Sequence, residues 1–255
     1  MTASGSSELL VTRDGPVVTL TLNRPERRNA LTRSLIAALD SALVSVSADA
    51  TAGCVVLSGA GGAFCSGVDL VDATAATEGP PFPVLLTGVT STIRSLDLPV
   101  LAAVEGPAYG AGLALALASD IRIVSDDARL CEAYVRIGRF AGGGDTYWLP
   151  QVVGTGQALR MLWTGDVVSG GDAVAIGLAE QGVPAGGTLA AAQELARAIA
   201  AQPRAVIART KHAVYRMREL SMPDALELSV SLSAQGNEAD VPTGSRALGR
   251  DEADQ

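Results

Sequence analysis

The chain has 255 residues, of which 48% are hydrophobic and 18% are charged. This length and composition exclude a disordered polymer and suit one α/β unit of about 200–250 residues with a sizeable core. The formal net charge of −8 argues against a surface for nucleic acid or for anionic membranes. With only 4% aromatic residues and 28 glycines, the predicted core consists of small aliphatic side chains that allow close backbone approach.

The cysteine content indicates a reducing compartment. The three cysteines are an odd number without CxxC spacing, so we expect free thiols and neither a disulfide framework nor a metal site; they are Cys54, Cys65 and Cys131. Residues 1–7 are small and polar and predict a flexible N-terminus without a secretory signal. The most apolar stretch, residues 98–119, is interrupted by Glu105-Gly106-Pro107, so a buried strand and helix are favoured over a membrane span. We expect a cytoplasmic protein.

The hydrophobic pattern predicts strands alternating with helices. Predicted strands cover residues 8–13, 17–22, 53–58, 100–104 and 120–124. Predicted helices begin near Thr32, Val84 and Gly110, and this order favours a largely parallel sheet with right-handed crossovers. Residues 73–83, rich in Ala, Thr and Pro, predict a mobile surface segment. The C-terminal part is predicted to be helical at residues 159–163, 189–201, 204–220 and 225–234.

Two glycine-rich loops, residues 59–67 and 106–112, each follow a buried strand and precede a helix. Small side chains there leave backbone N–H groups free at a helix N-terminus, and two such groups aimed at one point form an oxyanion hole. The alternative is that the glycines only permit tight turns and close packing. A dinucleotide site is disfavoured because Phe64 occupies the third glycine position of GxGxxG, and no lysine follows the loops as a Walker A motif requires.

Three motifs together carry a family resemblance: NRPxxxNAL at residues 23–31, FCSGxDL at residues 64–70, and GPAxGAG at residues 106–112. With Ser119-Asp120-Ile121 they closely resemble the crotonase (enoyl-CoA hydratase/isomerase) superfamily over residues 9–248. The resemblance implies an α/β fold, a crotonase-like ββα spiral with a C-terminal helical layer, in trimers or dimers of trimers. It implies a coenzyme A thioester as substrate, no permanently bound cofactor, and an oxyanion hole made by the amides of Val68 and Ala111.

The same resemblance implies a coenzyme A site; the residues assigned to it are Arg27, Arg28, Ala30, Ser66, Gly67, Asp69, Leu70 and Gly110. A cluster of four arginines, at positions 24, 27, 28 and 33, lies near the loop that approaches the adenine and phosphates in the family. Guanidinium groups pair well with phosphate oxygens. The alternative for each arginine is a solvated surface position.

The sequence departs from the hydratase pattern at both catalytic glutamates. Matched without gaps, those positions are Ala114 and Tyr134, and neither can act as a carboxylate base. Glu132 lies two residues earlier, and on a helix it would point about 200° away from the site. Because hydration needs a proton removed and delivered in register, the standard hydratase reaction is disfavoured.

Asp145 and Tyr134 are the remaining candidates for an acid or base. Asp145 follows three glycines, so it is either a helix N-cap or a catalytic carboxyl whose pKa burial raises. Tyr134 either takes part in catalysis or fills the volume of the missing carboxylate. A serine triad is rejected because the only histidine, His212, lies in a basic helix and is expected to be solvated, far from Ser66.

These observations predict a crotonase-family lyase or isomerase of acyl-CoA metabolism that stabilises a thioester enolate. The alternative is a non-catalytic acyl-CoA-binding protein in lipid metabolism. The expected organisation is a flexible segment at residues 1–7, a spiral core at 8–195, and a helical trimerisation region at 196–255. The expected partners are an acyl-CoA and further copies of the chain, with no nucleic acid or membrane.

Overall fold

The computed structural model describes residues 8–74 and 79–234. Its strands are β1 (Leu9–Asp14), β2 (Val17–Leu22), β3 (Cys54–Gly59), β4 (Val100–Val104), β5 (Pro107–Tyr109), β6 (Ile121–Ser125), β7 (Arg129–Cys131), β8 (Val168–Ser169) and β9 (Gln181–Val183). Its helices are α1 (Arg33–Ala48), α2 (Leu70–Thr74), α3 (Phe82–Ser95), α4 (Ala111–Ala118), α5 (Asp145–Val153), α6 (Thr155–Thr164), α7 (Gly170–Ala175), α8 (Thr188–Ala200), α9 (Arg204–Met217) and α10 (Met222–Ala234). The segment predicted to be a flexible N-terminus, residues 1–7, lies outside the described residues.

A six-stranded sheet with the order β1-β2-β3-β4-β6-β9 forms the centre of the fold. β1 and β2 are an antiparallel hairpin, and every other neighbouring pair is parallel. Parallel strands need crossover connections, which α1, α3 and α4 supply. The predicted parallel sheet is therefore confirmed, with the hairpin at one edge.

Both faces of this sheet are covered. In β3, Val55 and Leu57 pack into one hydrophobic cluster with α1, α3 and α4, while Cys54 and Val56 pack into another with α8. The alternation follows from the two-residue period of a strand. Because both faces are buried, β3 is a continuous apolar run, as predicted.

Two predicted boundaries differ from the structure. The segment at residues 73–83 is not wholly a surface loop, since α3 begins at Phe82 and this side chain is buried; residues 75–78 lie outside the described residues. The predicted boundary between residues 195 and 196 falls inside α8, where Ala192 and Ala196 both pack on the sheet. α8, which covers the second face of the sheet, therefore belongs partly to the predicted spiral core and partly to the predicted helical region.

The last two helices extend away from this core. α9 is joined to it by Lys211, a buried lysine whose Nζ lies 2.9 Å from a carboxylate oxygen of Asp120. α10 has no buried residue, and its exposed apolar side chains include Met222, Leu226 and Val230. No helix within the described parts of the chain combines the length and apolar character needed to traverse a bilayer.

Candidate active site

The two glycine loops lie side by side and are held together by backbone hydrogen bonds. Cys65 and Ala108 form a parallel β-bridge, in which Cys65 N donates to Pro107 O at 3.0 Å and Tyr109 N donates to Cys65 O at 3.0 Å. Phe64 N also donates to Glu105 O at 2.6 Å. The loops after β3 and β4, which are distant in sequence, therefore form one backbone unit.

Val68 and Ala111 lie on opposite loops of this unit and line the same cavity, which measures about 230 Å³. Ala111 is the first residue of α4, so its N–H has no acceptor within the helix. Among the described residues neither amide donates to another group. Two free main-chain donors thus border one cavity, and the N-terminal end of α4 adds a favourable field for negative charge.

Gly67 allows the loops to approach this closely. Its φ of 104° is in the region that favours glycine, and a Cβ at this position would lie 2.9 Å from Tyr109 O and 4.0 Å from Ala111 N. Gly110 has φ 49°, and a Cβ there would contact the ring of Tyr134 at 3.5 Å. Both glycines therefore have a steric reason to be where the motifs place them.

Asn29 holds the first loop in place. It is fully buried, and its side-chain amide donates to Ala63 O at 2.6 Å and to Ala60 O at 2.9 Å. Its Oδ1 accepts from Arg24 N at 2.8 Å. Asn29 belongs to the motif at residues 23–31, but the sequence analysis gave it no role. A polar residue within a motif that precedes a glycine loop could have indicated this supporting role.

Arg24 and Asp69 support the same loop by an ion pair. The Arg24 guanidinium lies 3.1 Å from Asp69 and 3.0 Å from Glu8, and it also donates to Ala30 O at 2.6 Å. Burial raises the pKa of Asp69, but the hydrogen bonds from Arg24 and from the amides of Asp72 and Val71 outweigh it and hold this pKa below its usual value. Arg24 is therefore already neutralised by carboxylates.

Arg27 and Arg28 differ from Arg24 because they are exposed and have no carboxylate partner among the described residues. Their backbone carbonyls accept from Ser66, the Arg27 oxygen from its hydroxyl at 3.1 Å and the Arg28 oxygen from its N–H at 2.9 Å. The two cations are thus fixed beside a residue that lines the cavity. Four of the residues expected at the coenzyme A site also line the cavity: Ser66, Gly67, Leu70 and Gly110.

Tyr134 lines the same cavity as the free amides. It lies in a short 3₁₀ turn, Ala133–Ile137, and its ring packs against Gly110. Ala114, the other position where the family pattern has a glutamate, is fully buried in α4 behind the wall. Of these two residues, only Tyr134 therefore reaches the cavity, and it presents a phenol there.

Glu132 and Asp145 are fully buried behind Tyr134, and neither lines the cavity. As expected, the Glu132 side chain stays out of the cavity, but Glu132 precedes the 3₁₀ turn instead of lying on a helix, and its carboxyl interacts with Asp145. The N-cap interpretation of Asp145 is wrong, since Gly144 is the N-cap of α5 and no side chain caps that helix. All four carboxyl oxygens have no hydrogen-bond partner at ordinary distance within the described parts of the chain.

Each member of this group alters the proton affinity of the others. Burial raises the pKa of Glu132 far above its usual value, and the charge of Asp145 raises it further. Burial also raises the pKa of Asp145, although its own backbone N–H and the nearby Glu132 and Tyr134 side chains oppose the rise. The hydrogen bond that the Tyr134 hydroxyl makes at ordinary distance goes to Gly142 O, at 3.5 Å. The pKa of Tyr134 is raised by burial and by the two carboxyls, so the phenol keeps its proton at neutral pH.

Comparisons with known proteins show the family of this chain. The family model for enoyl-CoA hydratase/isomerase matches residues 12–247. The chain belongs to this family. Among its relatives, a protein of Mycobacterium tuberculosis named as a probable enoyl-CoA hydratase is 38% identical over 222 residues, which cover 86% of this chain and 85% of the relative. The 1,2-epoxyphenylacetyl-CoA isomerase of Escherichia coli is 35% identical over 219 residues, with 83% of each chain covered.

Solved structures place the chain in the crotonase fold, as the sequence analysis predicted. The crystal structure of enoyl-CoA hydratase from Bacillus anthracis superposes with a TM-score of 0.85 at 28% identity, covering 89% of this chain and 90% of that one. The enoyl-CoA hydratase of Mycobacterium smegmatis gives a TM-score of 0.83 at 33% identity, with coverages of 90% and 91%.

Two other features of this family member bear on its chemistry. Residues 8–74 and 79–234 contain no group of three or more His, Cys, Asp or Glu side chains arranged to hold a metal ion. A larger cavity of about 360 Å³ lies between α5 and α9, and its lining includes the Arg122–Glu180 ion pair and the Tyr215–Asp120 hydrogen bond. The smaller cavity is the one bordered by the free amides.

Proposed function

We propose that this protein is an enzyme that binds an acyl-CoA thioester and stabilises its enolate with the N–H groups of Val68 and Ala111. The observation that carries the proposal is the pair of partnerless amides on two interlocked loops at the edge of one cavity. Preorganised donors of this kind stabilise developing negative charge without reorganisation during the reaction. The thioester carbonyl would accept from both amides, with the acyl group in the cavity.

The reaction we propose is a proton transfer or elimination, of the lyase or isomerase class, and not the addition of water. Ala114 and Tyr134 stand where the family pattern has the two glutamates, and only Tyr134 borders the cavity. Tyr134 is the acid/base that contacts the substrate, and Asp145 acts from behind it. A wall made largely of apolar side chains favours an acyl group over a water molecule.

Arg27 and Arg28 are proposed to bind the phosphates of coenzyme A. Both are exposed, unpaired within the described residues, and anchored through their carbonyls to Ser66 at the cavity. Arg24 is not included, because Glu8 and Asp69 already neutralise it. Ala30 and Asp69 contribute by holding the loop, and coenzyme A enters as part of the substrate, not as a permanent cofactor.

We further propose a homotrimer or a dimer of trimers in the cytoplasm. The exposed apolar side chains of α10 support assembly through the C-terminal helices, and the three free cysteines support a reducing compartment.

The experiment that tests the enzymatic function measures deuterium exchange at the acyl α-carbon of a panel of CoA thioesters in D₂O. Ala111→Pro removes one amide donor at the first position of α4, where proline is tolerated. We expect exchange with wild-type protein and a loss of about 10²–10³-fold in the variant, the usual cost of one oxyanion donor.

Ala111→Gly is the matched control, because it keeps the N–H and should keep the exchange. Calorimetry should show that thioester binding persists in Ala111→Pro. Thioester binding by the wild type with no exchange of any panel member would favour the non-catalytic binding protein instead.

A further inference from the structure

Glu132 and Asp145 form an isolated pair of acids directly behind the cavity wall. Both are fully buried, and no oxygen of either group has a hydrogen-bond partner at ordinary distance within residues 8–74 and 79–234. Tyr134 is the one member of the group that also lines the cavity. Any exchange of protons between the pair and a bound substrate therefore passes through the Tyr134 hydroxyl.

Among the described residues, no positive charge acts on the pair, and Arg139 lines the cavity without acting on either carboxyl. The other titratable groups that act on this cluster are Cys65, facing Tyr134, and Cys131, next to Glu132; in the described residues no arginine or lysine acts on either carboxyl. Two buried carboxylates side by side without a cation are strongly unfavourable, so the pair retains a proton. A single proton between them satisfies one oxygen of each group.

We propose that Glu132 and Asp145 share one proton, and that Glu132, by donating it in a hydrogen bond to Asp145, keeps Asp145 ionised as the proton acceptor for the Tyr134 hydroxyl. The inference rests on the proposed function and adds a positioning residue to it. Glu132 does not touch the substrate; it acts through Asp145.

The proton transfer balances without any further reactant. As the Cα–H bond of the acyl group breaks, its electron pair enters the thioester enolate and its proton passes to the Tyr134 oxygen. The original Tyr134 O–H bond breaks at the same time, and that proton forms an O–H bond with Asp145. The pair changes from one proton to two, and the reverse step returns a proton to the same carbon or to another carbon of the acyl group.

The first test compares the pH dependence of α-carbon exchange in Glu132→Met and Glu132→Gln. In wild-type protein, we expect kcat/KM to fall at low pH as Asp145 takes up its proton. Glu132→Met removes the donor but keeps the volume, so we expect this limb to move up by about one pH unit, a tenfold loss at a fixed pH on the limb. Glu132→Gln restores a donor and should move the limb back toward its wild-type position.

Glu194→Met, on the exposed side of α8, is the control for introducing methionine and should not move the limb. A limb that stays in place in Glu132→Met overturns the role of Glu132, even where Ala111→Pro abolishes exchange and so supports the proposed function.

The second test does not depend on activity. The infrared spectrum of ligand-free protein at neutral pH should contain the C=O stretch of a protonated carboxyl, and Glu132→Gln should remove this band. Absence of a Glu132-dependent band overturns the shared proton. A wild-type protein that shows the band but exchanges no thioester contradicts the proposed function and supports the shared proton.

Discussion

At the scale of single residues, the carboxyls of Glu132 and Asp145 should make the stability of the protein depend on pH. Burial raises both pKa values, so in this range the folded protein binds more protons than the unfolded chain. Their contribution to the free energy of unfolding is fully present below the ordinary carboxyl pKa and is lost as pH rises through the raised values. The protein therefore loses stability toward neutral and alkaline pH because of these two groups.

We predict that the free energy of unfolding, measured with urea between pH 5 and pH 8, falls more steeply in wild-type protein than in Glu132→Gln/Asp145→Asn. One proton of difference corresponds to about 1.4 kcal/mol per pH unit. The exposed Glu194→Gln should retain the wild-type slope. If the free energy of unfolding had the same pH slope in wild-type protein and in the double variant, the two acids could not both be buried without a neutralising charge.

Glu132 also shows where prediction from sequence stopped at this scale. The glycine loops and the residues Val68, Ala111 and Tyr134 could be assigned to one site because their motifs resemble those of a known family. The contact between Glu132 and Asp145 depends on a 3₁₀ turn and on a chain segment of several glycines between them. Neither has a periodic pattern, so the interaction of Glu132 with Asp145 could not be predicted.

At the scale of secondary structure, α9 is fastened to the core by a buried ion pair. Lys211 lies 2.9 Å from Asp120 and donates to Leu98 O at 2.9 Å. Asp120 also accepts from Tyr215 at 2.7 Å and from Val100 N at 2.7 Å. Loss of the lysine leaves a buried carboxylate without its cation, which is costly.

We predict that Lys211→Met lowers the free energy of unfolding by about 3–5 kcal/mol. The neighbouring His212→Met breaks an exposed pair with Asp97 and should cost less than about 1 kcal/mol. Urea denaturation of both variants measures the difference. Asp120→Asn in the Lys211→Met background should not add the full cost of a second buried defect; purely additive losses would argue against coupling between the two charges.

Most elements were predictable at this scale, and the strands that were missed have a common cause. Strands β1 to β4 and helices α1, α3 and α4 have enough residues for their apolar spacing to be read. Strands β5, β7, β8 and β9 contain only two or three residues each, too few for a period. Their pairing depends on tertiary contacts, so sequence patterns missed them.

At the scale of the whole molecule, the apolar side chains of α10 stay exposed in a single chain. Met222, Leu226 and Val230 follow at intervals of four residues, which places them on one face of the helix, and they are 76%, 57% and 71% exposed. An apolar face of this kind on a surface helix marks a contact with another chain. The proposed trimer would cover it.

We predict that sedimentation shows wild-type protein at the mass of three or six chains, and that Leu226→Glu/Val230→Glu shifts it to a smaller species. Charges placed on an apolar contact face lose their hydration on association and so oppose it. Ser231→Glu adds a charge on a different side of the same helix and should leave the mass unchanged. A wild-type protein that sediments as a single chain would contradict the assembly.

The bridge between Cys65 and Ala108 has a consequence for how this scaffold can acquire new reactions. In the proposed function, peptide groups and not side chains are the two donors, so replacing an amino acid elsewhere on the wall would leave the binding of a carbonyl oxygen intact. The acidic and basic side chains around the two amides can then be substituted one at a time while the protein keeps its affinity for the substrate. Under this proposal, the two glutamates of the hydratase pattern can be replaced, and a tyrosine with two buried acids introduced, while every intermediate protein still binds the thioester.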